Sequence, residues 1–239
     1  MSKFNQQQPP GEGGLGFSQT DEAGVPDFIE PMLAWRTWLL RKECVLGSTS
    51  LTQIKWPSGR VLQAKCADDR PHKAPDENCR CGIYALTYPQ QPWSYAAEFS
   101  TERWTTLAIV ALWGKIIEGP QGWKAEFCYP KLFILCPSTG VPELRYPSPY
   151  PEDPLQRRLI GREILYRNWN VPVVFGPSTR EGWLDYEVMN KFTEGKYHAA
   201  QVLKTLEGEH PADWLMHRAP WLVTGYQEFQ LWKESTLVP

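Results

Sequence analysis

A surplus of positive charge is missing from this chain: 25 lysines and arginines stand against 27 aspartates and glutamates, for a formal net charge of −2. A general nucleic-acid binder usually carries a basic excess, so the charge balance does not indicate nucleic acid as a partner, although it leaves room for a local basic face. Long apolar runs are absent as well. None reaches the roughly 18 residues of a spanning helix, which excludes a helical membrane protein. The N-terminal "MSKFNQQQPPGEGGLGFSQTDEAG" holds no apolar stretch of signal-peptide length, and the expected location is the cytoplasm. There is no Walker loop, dinucleotide fingerprint or G-x-S-x-G elbow, and no repeat of fixed period.

What is present is aromatic. Twelve tryptophans accompany ten tyrosines and nine phenylalanines in 239 residues. Such richness suits a stacking surface for bases, sugars or peptides, but the simpler reading is that Trp packs a core short of Leu and Ile. A chain of this length buries roughly 70–75% of its unfolded surface and does not need disulfides to fold. In a reducing compartment the six cysteines then read as free thiols or metal ligands.

Composition divides the chain. Residues 1–27 are Gln, Pro, Gly and acid with few apolar anchors, and are expected to be a disordered arm. Residues 28–136 are β-like. "LAWRTWLL", "RVLQAKC" and "CGIYALTY" read as strands, "WPSG" as a turn, and "PWSYAAEFSTERW" as the one helix of this half. "LAIVALWGKIIEG" and "WKAEFCYPKLFIL" flank "EGPQG" and predict a hairpin whose loop exceeds two residues. The first of these strands is apolar at nearly every position, as one buried on both faces would be; the second alternates, as one buried on a single face would. Residues 137–154 contain six prolines and predict an extended linker, with a docking ligand for a proline-reading domain as the less usual use. From 155 to 239 the pattern is mainly helical. Asp153 and Pro154 form the helix start of "PLQRRLIGREILYRNW", "VPVVF" is a short strand, and "REGWLDYEVMNKF", "KYHAAQVLKTLE" and "PADWLMHRA" follow as helices. Arg157, Arg158, Arg162 and Arg167 enrich the first helix in charge and read as a solvated face, with phosphate contact as the alternative.

The chemistry concentrates in "CADDRPHKAPDENCRC". Cys66, His72, Cys79 and Cys81 follow one another with five, six and one intervening residues. Three thiolates and an imidazole suit a tetrahedral zinc ion, which accepts soft sulfur and borderline nitrogen. The single residue between Cys79 and Cys81 is shorter than the two to four of common zinc knuckles, yet i and i+2 side chains of an extended strand share a face. A zinc deaminase needs Glu two residues after the His, and Ala74 stands there instead, so that reaction is excluded. Unligated buried thiols, a redox pair and a Cys–His nucleophile remain as alternatives. Arg70, Lys73 and Arg80 are near enough in sequence to offset the −1 charge of a three-thiolate zinc complex. His198, His210 and His217 have no ligand spacing.

The segments "LAWRTW", "WPSG", "AKC", "HKAP", "CRCGIYA", "LWGKIIEG", "GWKAE" and "YP" occur in an order that resembles a family of uncharacterised bacterial proteins bearing an H-x-x-P-x-x-x-C-x-C-G-I-Y-A signature. The resemblance covers residues 33 to 132 and implies a module of that extent, with no activity attached. The expected protein is thus α+β: a twisted, partly closed antiparallel β module with a zinc-stapled loop, then a mainly helical region. Its expected function is non-enzymatic interaction with a protein partner through a structural zinc module. A Cys/His-dependent enzyme and a nucleic-acid binder are the alternatives.

Overall fold

The computed structural model describes residues 30–40, 45–48, 55–56, 58–66, 72–90, 104–136, 153–181 and 184–236. The predicted arm at 1–27, the proline-rich stretch up to residue 152 and all but the last residue of the predicted helix at 92–104 lie outside them, as does Cys44.

Among the described residues eight strands form one sheet: β1 (Met32–Leu40), β2 (Leu46–Ser48), β3 (Lys55–Trp56), β4 (Leu62–Gln63), β5 (Ile83–Leu86), β6 (Trp104–Gly119), β7 (Gly122–Cys136) and β8 (Val173–Phe175). Strand β1 lies antiparallel to β6 from Met32↔Leu112 to Leu40↔Trp104, and β6 to β7 from Thr105↔Cys136 to Gly119↔Gly122. The short β5 pairs β7 through Ile83↔Ala125 and reaches back to β1 at Trp35↔Leu86. This last contact closes the sheet on itself, through β1, β6, β7 and β5.

Closure requires the long hairpin to bend, and it bends at two register shifts. Pro130 has no N–H for the ladder, and Lys131 is the extra residue between the pairs Val110↔Pro130 and Ile109↔Leu132. The second shift lies between Trp113 and Ile116, where Gly114 takes φ +76. A Cβ on Gly114 would stand 2.7 Å from the Phe127 ring, so glycine is needed there for both conformation and space.

Two expectations for this hairpin are corrected. Its loop is only Pro120 and Gln121, because the pairing runs to Gly119↔Gly122. Strand β7 is buried on both faces from Cys128 to Cys136 apart from a half-buried Lys131, and Glu126 is buried too. Single-faced burial fails because β8 pairs alongside β7 and helices cover the outer side.

Among the described residues five helices follow: α1 (Pro154–Trp169), α2 (Tyr186–Glu194), α3 (Ala199–Leu206), α4 (Asp213–Arg218) and α5 (Pro220–Thr236). Asp153 caps α1, its carboxylate accepting from the Leu155 and Gln156 N–H groups. The last helix, α5, is the one that the sequence pattern does not announce. Both apolar cores draw on both halves of the chain. One joins Trp38, Trp56 and Phe133 to Trp169 of α1; the other joins Trp35, Ile109 and Ile134 to Phe192, Val202 and Leu222. Trp56 sits at the centre of the first, 4.5 Å from the Trp38 ring and 6.1 Å from Trp169. These tryptophans are core.

The charged face of α1 is corrected at Arg158 and Arg162, whereas Arg167 is exposed as expected and paired with Glu163 at 2.6 Å. Arg158 is buried, its guanidinium donating to the Gly176 carbonyl and lying 4.9 Å over the Phe175 ring. Arg162 lies between Phe175 and Trp232. Leu155, Leu159 and Ile160 face outward instead. Guanidiniums spread flat on aromatic rings pack like apolar groups, which periodicity alone does not reveal. No helix among the described residues is long and apolar enough to cross a membrane.

Candidate metal centre

Cys66 follows β4, whose pairing with β7 is carried one step further by the Ala64 N–H donating to the Glu126 carbonyl at 2.7 Å. The chain returns at His72 and turns tightly. Asp76 accepts from the Asn78 N–H through its carboxylate at 2.9 Å and from the Cys79 N–H through its carbonyl at 3.2 Å. This local bonding is what Asp offers a turn. Gly82 then takes φ +127 and delivers the chain into β5. A Cβ there would meet Pro75 Cβ at 3.0 Å and Lys124 Cβ at 3.1 Å, so the loop lies directly on the sheet.

Three side chains hold it down. Lys124 of β7 donates to the Cys79 carbonyl at 2.8 Å and to the Asp76 carbonyl. Tyr84 of β5, directly across from Lys124, donates to the Arg80 carbonyl at 3.0 Å. Lys73 of the loop reaches Glu126 of β7 at 2.6 Å. Lys124 and Glu126 are two apart on one strand and so share the face beneath the loop.

The loop brings all four sequence-predicted residues together. One donor atom each from Cys66, His72, Cys79 and Cys81 lies within 4.8 Å of every other. The Cys66 and Cys79 sulfurs are 3.7 Å apart, and His72 Nε2 lies 3.2 Å from the Cys81 sulfur. With Zn–S bonds of about 2.3 Å and Zn–N bonds of about 2.0–2.1 Å, a regular tetrahedron has edges of about 3.8 Å between sulfurs and about 3.6 Å from sulfur to nitrogen. The observed separations have that scale. The four donors are compatible with a single metal ion. Among the described residues no other set of three or more His, Cys, Asp or Glu gathers in this way.

Electrostatics favour a cation at this position. Burial pushes the Cys81 thiol above its ordinary value, and the neighbouring Cys79 and Cys66 sulfurs add to that rise. A dication reverses the balance, because thiolates then face positive charge rather than one another. Cys128 and Cys136 are different: fully buried in the core, each is pushed up to about 12 by desolvation and is chemically quiet.

Some expectations about the surroundings change. Lys73 is engaged with Glu126 rather than with the sulfurs, and Arg70 lies outside the described residues. Lys124, Glu126 and Tyr84 support the loop although sequence reasoning gave them no role. The signal was there in "GWKAE" and "GIYA", but it is legible only once β5, β7 and the loop are known to be neighbours. His198 meets Tyr88 ring to ring at 4.9 Å and is remote in role from the cluster. No family model, curated protein or solved structure matches the chain.

Proposed function

We propose that this protein is a non-enzymatic interaction module stapled by one structural zinc ion at Cys66, His72, Cys79 and Cys81. The observation that carries the reading is the convergence of four zinc-type donors from two separate chain segments to within 4.8 Å of one another. Four protein ligands fill the coordination sphere and leave no position for water or substrate, which is the pattern of structural rather than catalytic zinc. The ion supplies the cross-link; the residues of the chain do the holding and the presenting.

His72 Nε2 lies within hydrogen-bond reach of the Cys81 sulfur, as a nucleophile pair would require, but burial of that thiol disfavours the nucleophile alternative. An activated cysteine needs a lowered pKa and access, whereas Cys81, the thiol beside His72, is buried and pushed upward. Beside the loop a cleft of about 400 Å3, lined by Tyr84, Leu86, Ile117 and Trp123 among others, offers a mostly apolar surface to a protein partner. Unbridged thiols at Cys66, Cys79 and Cys81 suit a reducing compartment, consistent with the cytoplasm.

Elemental analysis of protein purified without chelators tests the metal. One zinc per chain is expected, with Cys66, Cys79 and Cys81 protected from alkylation until a chelator is added. A zinc content near zero, or rapid labelling of these thiols in metal-replete protein, overturns the reading. For the interaction role, affinity capture from the native host is expected to recover a protein partner that is lost when zinc is stripped.

A further inference from the structure

The three thiols of the cluster differ in exposure. Cys81 is buried and its sulfur is 3.2 Å from His72 Nε2. Cys66 and Cys79 are both half-buried, and their sulfurs are 3.7 Å apart. We propose that the centre is a peroxide-responsive switch in which Cys66 and Cys79 form a disulfide and the metal is expelled. This rests on the zinc reading above and adds regulation to it.

The geometry selects the pair. A disulfide has its sulfurs about 2.05 Å apart, so the two must approach by about 1.7 Å, a distance covered by side-chain rotation and a small movement of the loop. Cys66 and Cys79 are the half-buried thiols of the three, open to a molecule as small as peroxide where Cys81 is not, and the proposed route starts at Cys66. Its thiolate attacks one oxygen of hydrogen peroxide, the O–O bond breaks, and a sulfenic acid forms while hydroxide leaves and is protonated to water. The Cys79 thiolate then attacks the sulfenic sulfur, the S–O bond breaks, and a second water departs after protonation. Two thiolates, one peroxide and two protons become one disulfide and two waters; sulfur loses two electrons and peroxide gains them. Zinc then retains only His72 and Cys81 of its four ligands and is released.

The oxidised loop keeps its place on the sheet. The Lys124 bonds to the Asp76 and Cys79 carbonyls and the Lys73–Glu126 pair involve no sulfur, and the new bond closes the same loop that the ion closed. One staple replaces another, so the change is reversible: a dithiol reductant restores the thiolates and zinc rebinds.

The test uses the full-length, zinc-loaded protein with hydrogen peroxide. Zinc release is followed with a chromogenic chelator, and the linkage is mapped by mass spectrometry of unreduced peptides. One zinc released per Cys66–Cys79 disulfide is expected, with recovery after dithiothreitol and added zinc. Bound zinc that survives peroxide, or zinc lost with a Cys79–Cys81 linkage or with sulfinic acid in place of a Cys66–Cys79 disulfide, overturns the switch and leaves the structural site standing. Protein that binds no zinc at all overturns both. The Cys79→Ser variant is expected to form no Cys66 disulfide, and peptide mapping of the unsubstituted protein decides the matter if that variant does not fold.

Discussion

Lys73 and Glu126 tie the Cys/His loop to the sheet: their charged atoms are 2.6 Å apart, with the carboxylate side chain 5% exposed and the ammonium side chain 73% exposed. The carboxylate also accepts from the Lys115 N–H at 3.3 Å, at the bulge that bends the hairpin. A buried charge on the sheet thus has its counter-ion on the loop.

This relationship has a pH signature. Lys73 holds the Glu126 carboxyl below its ordinary value of 4.5, against the opposing effect of burial. A carboxylate with a depressed folded-state pKa contributes stability above its unfolded value and loses that contribution as pH falls through its folded value. Urea unfolding is expected to show a stability decline that begins near pH 4.5 and continues below it. In Lys73→Met the carboxylate is left buried without its cation. A loss of about 1–2 kcal/mol at neutral pH is expected, less than for a fully buried pair because the lysine is largely solvated. The acid-linked decline in the variant should shrink or reverse.

Removing a ligand should act on the loop and the metal together. Cys79→Ser and Cys81→Ser are expected to abolish stoichiometric zinc and lower stability by several kcal/mol, within the roughly 10 kcal/mol apparent binding energy of structural zinc sites. Cys136→Ala, in the core, should retain one zinc per chain. Cobalt substitution provides the readout, since thiolate-to-cobalt absorption appears only with the sulfurs bound. Equal metal content in all three variants contradicts the ligand set.

Gly82 makes a sharper test because it donates nothing to the ion. Its φ of +127 is a conformation that L side chains rarely adopt, and a Cβ there would stand 3.0 Å from Pro75, which would have to give by a few tenths of an ångström. Gly82→Ala is expected to cost about 1–3 kcal/mol of stability from the backbone conformation alone. Zinc affinity, measured by chelator competition, should fall as well, because Cys81 is displaced relative to His72. Unchanged affinity would mean that the loop does not position the ligands.

The core has its own test at Trp56, where three aromatic neighbours, Trp38, Tyr129 and Trp169, meet one ring. Trp56→Ala is expected to cost about 3–5 kcal/mol, the range for truncating a buried aromatic. Because Trp169 belongs to α1 and Trp38 to β1, thermal unfolding should shift as a single transition. A variant in which the helices melt apart from the sheet would show that the shared core does not couple them.

Residue order by itself determined the features that depend on local chemistry. The four ligand residues lie within sixteen positions of one another, so the candidate site was legible without a fold. Asp153 and Pro154 announced the start of α1, and the apolar run from Leu107 to Leu112 announced a strand buried on both faces, because capping and burial periodicity are written in adjacent residues. Tertiary structure alone decided what depends on distant neighbours. Lys124 and Glu126 became the anchors of the loop because β5 and β4 pair with β7 at that point. Arg158 and Arg162 turned inward because Phe175 and Trp232 present ring faces there, and the closure of the sheet rests on the pairing of Trp35 with Leu86, 51 positions apart. Propensity and spacing act over a few residues, whereas the energy of these contacts exists only after the chain has folded back on itself.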